Sequence, residues 1–175
     1  YEKIENKRYD VIEPKKFLYK KSNHKALINK FYNNLNIVPD NNYDRIISCA
    51  VLEHLEDLPK YLYLSTKKLK KTGYQSHSIP CEGYPVWDIA WYLMSGISFK
   101  IRTGQNFKDV QKHEHINNYD EILSLINFFY GNVKIKFSYP GFFAPSLSLY
   151  ANITFSKPKK KNLDIYKKLT KNVNL

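Results

Sequence analysis

Apolar residues along this 175-residue chain alternate between two spacings, that of a β-strand and that of an amphipathic helix. Short apolar runs predict strands at "YDVIEP", "YDRIIS" and "YQSHSIP", and apolar residues three or four apart predict the helices that follow them. Strands that alternate with helices favour a mostly parallel sheet with helices on both faces. The chain is long enough to bury one core of that kind. The sequence therefore predicts an α/β, Rossmann-like domain.

Capping and terminating residues mark the ends of the predicted helices. Ser22 and Asp57 are expected to cap the first two helices, and Gly73 is expected to end the second in a left-handed conformation. Asn118 and Glu121 predict a capping box at the start of a later helix. The apolar faces of the three helices are Leu27, Ile28, Phe31 and Leu35; Leu58, Leu62, Ser65 and Leu69; and Ile122, Leu125, Ile126 and Phe129.

Residues 84–117 interrupt this alternation. We interpret them as an insertion that forms a lid over the acceptor-binding site, within a domain of residues 1–156. The segment "PVWDIAWYLMSG" predicts a short helix from Pro85 to Gly96, and "ISFKIRTG" predicts a small strand. After the last predicted helix, "VKIKFSY" and "LSLYANITF" alternate with a period of two. The seven residues between them are too few for a helical crossover, so the sequence predicts an antiparallel C-terminal hairpin.

The formal net charge of +12 raises the question of a nucleic-acid partner. Half of that excess lies in residues 157–175, which hold seven Lys and one Asp and are expected to form a basic tail. The rest of the chain has no Arg-rich stripe for reading bases, so a solvated basic tail is the favoured interpretation. Attraction to RNA, to an anionic membrane or to an acidic substrate is the alternative. Two Cys and no apolar run of membrane-spanning length favour a reducing, cytoplasmic setting.

Several residues fall at the carboxyl ends of the predicted strands, where ligands bind in open α/β sheets. These positions are Glu13, Ser48 to Ala50, and Ile79 to Glu82. A carboxylate at the position of Glu13 can accept hydrogen bonds from ribose hydroxyls, although an exposed Glu at a strand end needs no ligand to explain it.

Three segments together resemble the class I S-adenosylmethionine-dependent methyltransferases. "YDVIEP" resembles their second strand, "YDRIISCAVLEHLED" their fourth strand and the helix after it, and "LKKTGYQSHSIP" the turn into their fifth strand. The closing hairpin and "HEHINNYDEILSLI" fit the end of the same fold, so the resemblance covers roughly residues 9–157. It leaves room for only an abbreviated third strand at "LNIV". The family's glycine-rich first motif has no counterpart in the eight residues before Tyr9, so the N-terminal part of the fold is expected to be missing or incomplete here.

The resemblance implies S-adenosylmethionine as the methyl donor. It implies that Glu13 and Pro14 hold the ribose, and that Ser48, Cys49 and Ala50 form the floor of the cofactor pocket. Small side chains at this floor are explained equally well by ordinary core packing.

Three histidines are the candidate catalytic residues. His54 follows the "YDRIIS" strand, and a histidine can take a proton from a hydroxyl near neutral pH. His113 and His115 would point the same way on an extended segment and could face the acceptor. The alternative for Glu53 and His54 is that they hydrogen-bond the free amides at a helix start or each other. The alternative for the "HEH" segment is a structural role. A third ligand that would complete a metal site is not evident in the sequence, so no metal is expected.

Aromatic residues and the second cysteine complete the candidate positions. Tyr84, Trp87 and Trp91 could stack on a sugar face, but an aromatic stripe at helical spacing is more often core packing, here in part at a homodimer contact. Cys81 lacks a neighbouring base in the sequence and is interpreted as structural.

The sequence therefore predicts a methyltransferase that acts on a small hydroxylated acceptor, such as a sugar or a cell-surface glycan precursor. Two alternatives stay open: a non-catalytic methyltransferase-like interaction subunit, and a basic RNA-associated protein.

Overall fold

The computed structural model describes residues 8–15, 17–18, 25–138 and 144–172. The chain divides into two compact units, residues 1–40 and residues 41–175. In the described residues, no helix is both long enough and apolar enough to cross a membrane.

The first unit contains two short parallel strands, β1 (Tyr9–Ile12) and β2 (Ile28–Tyr32). The ladder continues past β1, because the amide of Glu13 donates a hydrogen bond to the carbonyl of Tyr32 (2.9 Å). The helix predicted over residues 27–35 is therefore wrong, since pairing with β1 overrides its helix-like apolar spacing. The "LNIV" segment is a 3-10 turn (Leu35–Ile37), not a strand. The predicted cap Ser22 lies outside the described residues.

The second unit contains a four-stranded sheet in the order β3-β4-β6-β5. Strands β3 and β4 are parallel, whereas β6 is antiparallel to both of its neighbours, β4 and β5. The predicted antiparallel hairpin is thus confirmed, and its second strand inserts between β4 and β5. The strands are β3 (Tyr43–Cys49), β4 (Leu69–Pro80), β5 (Tyr130–Ser138) and β6 (Tyr150–Pro158).

The predicted caps are present on the helices of this unit. The Asp57 side chain accepts a hydrogen bond from the amide of Lys60, and Asn118 and Glu121 form the reciprocal capping box. The helices are α1 (Leu58–Lys68), α2 (Pro85–Trp91), α3 (Ile97–Thr103), α4 (Phe107–Glu114), α5 (Tyr119–Phe129) and α6 (Lys160–Asn172), with a π turn (Tyr92–Gly96) joining α2 to α3.

Two local predictions about glycines and strands are wrong. Helix α1 ends at Lys68, and Gly73 lies inside β4, where an added Cβ would meet the carbonyl oxygens of Tyr43 and Lys70 at 3.0 Å. Glycine is needed there for the close approach of backbones, not for a left-handed turn. The "ISFKIRTG" segment is helix α3, and its left-handed terminator is Gly104, with a φ of 70°.

The core of the second unit lies between the sheet and helices α1 and α5. Its fully buried side chains include Leu58 and Leu62 of α1, Ile122 and Ile126 of α5, and Ile79, Ile153 and Phe155 of the sheet. Helix α6, in the predicted tail, packs Leu163 and Tyr166 against the same core. The core also includes Leu52, Ile79 and Cys81, which lie near the edge of the sheet at which β3 and β4 end.

Candidate functional site

The parallel strands β3 and β4 end at the same edge of the sheet. Ser48 pairs with His77 and Cys49 pairs with Ser78 near the carboxyl ends of these strands. Tyr150, the first residue of β6, pairs with Pro80 and reaches the same edge. This edge is where the fold predicts a ligand.

A strained turn follows β3. Ala50 has a φ of 51°, a left-handed conformation that costs a non-glycine residue free energy, and its amide donates to the carbonyl of Ser78 (2.9 Å). The chain then forms a 3-10 turn (Leu52–His54) that buries Leu52 and Glu53 and leaves His54 exposed. The turn thus directs a carboxylate inward at the ligand edge.

Glu53 is the most unusual residue of this turn. Its side chain is 1% exposed, and its Oε2 atom is buried without a hydrogen-bond partner among the described residues. Burial raises the pKa of this carboxyl group, and a backbone hydrogen bond, together with His54 and His115 when they are protonated, partly opposes the rise. A buried carboxylate oxygen without a partner is costly, so it marks a position where a ligand donor would be favourable.

Two histidines and a second glutamate lie beside Glu53. The rings of His54 and His115 meet edge to face, with centroids 4.7 Å apart. Nδ1 of His54 donates to the carbonyl of Glu114 (2.8 Å), which leaves Nε2 as the acceptor in the neutral ring. Nδ1 of His115 hydrogen-bonds Oε2 of Glu82, so this carboxylate orients the His115 ring.

Further contacts hold this cluster together. Gln111 of α4 donates to Oε1 of Glu82 (2.9 Å). The carbonyl of Glu53 accepts from the amides of Ile116 (2.8 Å) and Asn117 (3.1 Å). These bonds join the segment after α4 to the turn after β3, and we call Glu53, His54, Glu82 and His115 the acidic–histidine cluster.

His113 is placed differently from His115. It lies exposed in the last turn of α4, which continues to Glu114, so the two residues do not share the extended segment that the sequence predicted. In the described part of the chain, no group of three or more His, Cys, Asp or Glu side chains is arranged so that it could hold a metal ion.

Ser48 takes part in a buried hydrogen-bond network. The amide of Gln75 donates to Ser65 (2.9 Å) and to Tyr130 (2.5 Å), so the other Gln75 atom, Oε1, accepts from Nε2 of His77 (3.0 Å). That assignment makes Nδ1 of His77 an acceptor for the Ser48 hydroxyl (2.6 Å). Burial lowers the pKa of His77 to about 4, so the ring is neutral at physiological pH.

The other predicted cofactor residues lie at strand ends. Cys49, the last residue of β3, and Ala50, which follows it, are exposed. In the first unit, Glu13 and Pro14 follow β1, and Oε1 of Glu13 accepts from the amide of Lys15 (2.8 Å). Cys81 is fully buried, and burial raises its pKa to about 12, which is unfavourable for a nucleophile.

The tryptophans are used in packing. Trp87 stacks on Trp91 with ring centroids 5.0 Å apart, Tyr150 meets Trp87 edge to face, and Phe107 covers Trp91. Their faces therefore contact other aromatic rings, which favours the packing interpretation over stacking on a sugar.

Sequence reasoning placed Glu82 at the ligand edge and Glu53 beside His54 without giving either a role in the site, and it did not select Gln111. Glu82 carries one usable signal, because it follows the carboxyl end of a predicted strand. The roles of Glu53 and Gln111 depend on tertiary contacts with residues at least 29 positions away in the sequence.

Comparison with known proteins bears on this arrangement. No family profile matches the chain, and no curated protein sequence matches it. Among solved structures, it is similar to a SAM-dependent methyltransferase from Archaeoglobus fulgidus, with a TM-score of 0.58 and 15% identity over 86% of this chain and 75% of that one. A SAM-dependent methyltransferase from Thermotoga maritima gives a TM-score of 0.58 and 15% identity over 83% of this chain and 72% of that one.

A third similar structure is the CMeT domain of the citrinin polyketide synthase, with a TM-score of 0.57 and 12% identity over 86% of this chain and 40% of that one. At these identities the likeness concerns the fold. The resemblance inferred from the three sequence segments is confirmed at that level: the chain has the fold of the class I S-adenosylmethionine-dependent methyltransferases.

Proposed function

We propose that this protein transfers a methyl group from S-adenosylmethionine to a small hydroxylated acceptor, with sugars and cell-surface glycan precursors as the first acceptors to test. The fold supports the reaction class. The observation that carries the proposal is the buried Oε2 of Glu53, unpartnered within the acidic–histidine cluster at the carboxyl edge of β3 and β4. That oxygen is suited to accept a hydrogen bond from a hydroxyl of the acceptor.

The strand-end residues have the chemistry that S-adenosylmethionine requires. Glu13 supplies a carboxylate for the ribose hydroxyls, beside Pro14. Ser48, Cys49 and Ala50 offer small side chains, and the exposure of Cys49 and Ala50 leaves them accessible to a ligand. When bound, S-adenosylmethionine supplies a methyl group on a sulfonium, and an in-line transfer mainly requires alignment of the acceptor.

Within the acidic–histidine cluster, His115 is the proposed general base. Its Nδ1 atom is occupied by Glu82, so Nε2 is the atom that receives the hydroxyl proton as the acceptor oxygen is methylated. The Glu82 carboxylate stabilises the imidazolium that results. His54 and Glu53 position the acceptor, and the exposed His113 has no step in this scheme.

Cofactor binding is tested first, by calorimetric titration of S-adenosylhomocysteine into the product of the complete gene. We expect micromolar binding that Glu13→Ala weakens about tenfold, because the ribose loses a charged hydrogen-bond partner. Glu53→Gln should leave this affinity unchanged. If the wild-type protein does not bind S-adenosylhomocysteine, the non-catalytic interaction subunit becomes the better interpretation.

Turnover is then measured as release of S-adenosylhomocysteine with a panel of free sugars and nucleotide sugars. His115→Ala should lower turnover about 100-fold or more, while the affinity for S-adenosylhomocysteine stays within about twofold. His113→Ala is the matched control and should retain turnover. Full activity in His115→Ala would remove that residue from the mechanism.

A further inference from the structure

Helices α2 and α3 and the π turn between them carry apolar side chains on two opposite faces. The inner face packs Trp87, Trp91 and Phe99 among other aromatic rings. The outer face presents Ile89, Leu93, Ile97 and Ile101, which are 60%, 60%, 41% and 80% exposed. We call these four residues the exposed stripe. A continuous row of large apolar side chains in water marks an interaction surface.

The π turn limits the drift of the exposed stripe around the helix. Its residues are spaced four apart, and four residues of an α-helix turn through about 400°, so such a row drifts by about 40° at each step. The π turn (Tyr92–Gly96) has a wider turn and reverses the drift between Leu93 and Ile97. The four side chains therefore stay on one side of the helix over a length of about 18 Å.

The charged residues within residues 89–106, the segment that carries the exposed stripe, are all basic. No acidic residue occurs between Ile89 and Asn106. Lys100 and Arg102 are exposed on either side of Ile101, and each lies about 100° around the helix from it. The nearest carboxylate before the stripe, Asp88, is 3.9 Å from Nζ of Lys108. The stripe is thus an apolar row bordered by cations.

This combination favours an anionic lipid surface over a second copy of the chain. A helix that lies in the headgroup region buries an apolar face and extends basic side chains with long stems to the lipid phosphates. The formal net charge of +12 adds long-range attraction to anionic lipids. The same charge opposes association of two copies through these faces.

We propose that the exposed stripe docks this protein on the surface of an anionic lipid bilayer, with Lys100 and Arg102 contacting the lipid phosphates. This docking is independent of the methyltransferase proposal, because it uses neither the cofactor residues nor the acidic–histidine cluster.

The test is co-sedimentation of the complete gene product with vesicles of phosphatidylcholine and phosphatidylglycerol in about a three-to-one ratio. We expect Leu93→Ser/Ile101→Ser to weaken binding at least about tenfold, because two apolar side chains no longer enter the lipid. Lys100→Gln/Arg102→Gln should weaken binding to these vesicles and should reduce its sensitivity to salt. Binding to pure phosphatidylcholine should be weak in all proteins.

The matched control is Leu147→Ser/Leu169→Ser, which makes the same kind of change at two exposed positions, 46% and 60%, outside the stripe. It should bind as the wild type does, and the circular dichroism melting curves of all variants should coincide. Equal loss of binding in this control would assign membrane contact to another surface and overturn the proposal. Two further results would overturn it: absence of vesicle binding by the wild type, and a wild-type dimer in sedimentation velocity that Leu93→Ser/Ile101→Ser dissociates.

Discussion

His77 should make the folded protein sensitive to mild acid. The ring is 1% exposed, stacks on Phe155 and bonds Ser48 and Gln75 in its neutral form. Burial lowers its pKa from 6.5 to about 4, so the folded protein resists a proton that the unfolded chain accepts. The unfolded state therefore binds more protons between these two pH values, and the free energy of unfolding must fall as the pH falls through them.

The magnitude follows from the two pKa values. A gap of roughly 2.5 units corresponds to a total loss of roughly 3 kcal/mol. About 2 kcal/mol of that loss falls between pH 7 and pH 5, because the unfolded state is mostly neutral at pH 7 and mostly protonated at pH 5.

The assay is urea unfolding at a series of pH values from 7 to 5, for the wild type and for His77→Gln. Glutamine keeps a neutral donor and acceptor at this position but does not titrate, so the variant should lose about 2 kcal/mol less than the wild type over this range. The control His113→Gln changes an exposed histidine of α4 and should reproduce the wild-type slope. Equal slopes for the wild type and His77→Gln would refute the neutral, buried assignment of His77.

Three further substitutions test the packing that supports the site. Gly73→Ala should lower the free energy of unfolding, measured with urea, by about 1–3 kcal/mol, because the added Cβ would meet backbone oxygens at 3.0 Å. The control Gly131→Ala, whose added Cβ has its nearest contact at 3.5 Å, should lower it by less. Asn118→Ala removes the cap of α5 and should cost about 1 kcal/mol, seen as a lower melting temperature in calorimetry. Tyr130→Phe removes a buried hydroxyl shared by Thr66 and Gln75 and should cost about 1–3 kcal/mol in urea unfolding; an unchanged midpoint would show that this network adds no stability.

Local signals were sufficient where the chain's own neighbours decide its conformation. The cap at Asp57 and the capping box of α5 depend on residues three apart, and both are present as predicted. The antiparallel hairpin followed from two runs of period two and a short connection. The strand "YDRIIS" likewise matches β3.

The wrong predictions concern segments whose apolar pattern fits two structures. Ile97, Phe99 and Ile101 alternate as a strand would, yet Ile97 and Ile101 also lie four apart, and continuity with α2 makes the segment helical. Residues 28–32 have helical spacing, but a parallel partner strand supplies backbone hydrogen bonds that a helix would otherwise make internally. Periodicity in short segments does not separate these cases.

By itself, the sequence determined the order of β3, α1 and β4, the caps at Asp57 and Asn118, the C-terminal hairpin and the resemblance to class I methyltransferases, because each depends on neighbours along the chain. Only the tertiary structure decided that Glu53, Glu82 and His115 meet at one edge of the sheet and that Ser48 is bonded to His77. These contacts join residues 29 or more positions apart, and burial, which alters the pKa of Glu53 and His77, arises only when the core closes around them.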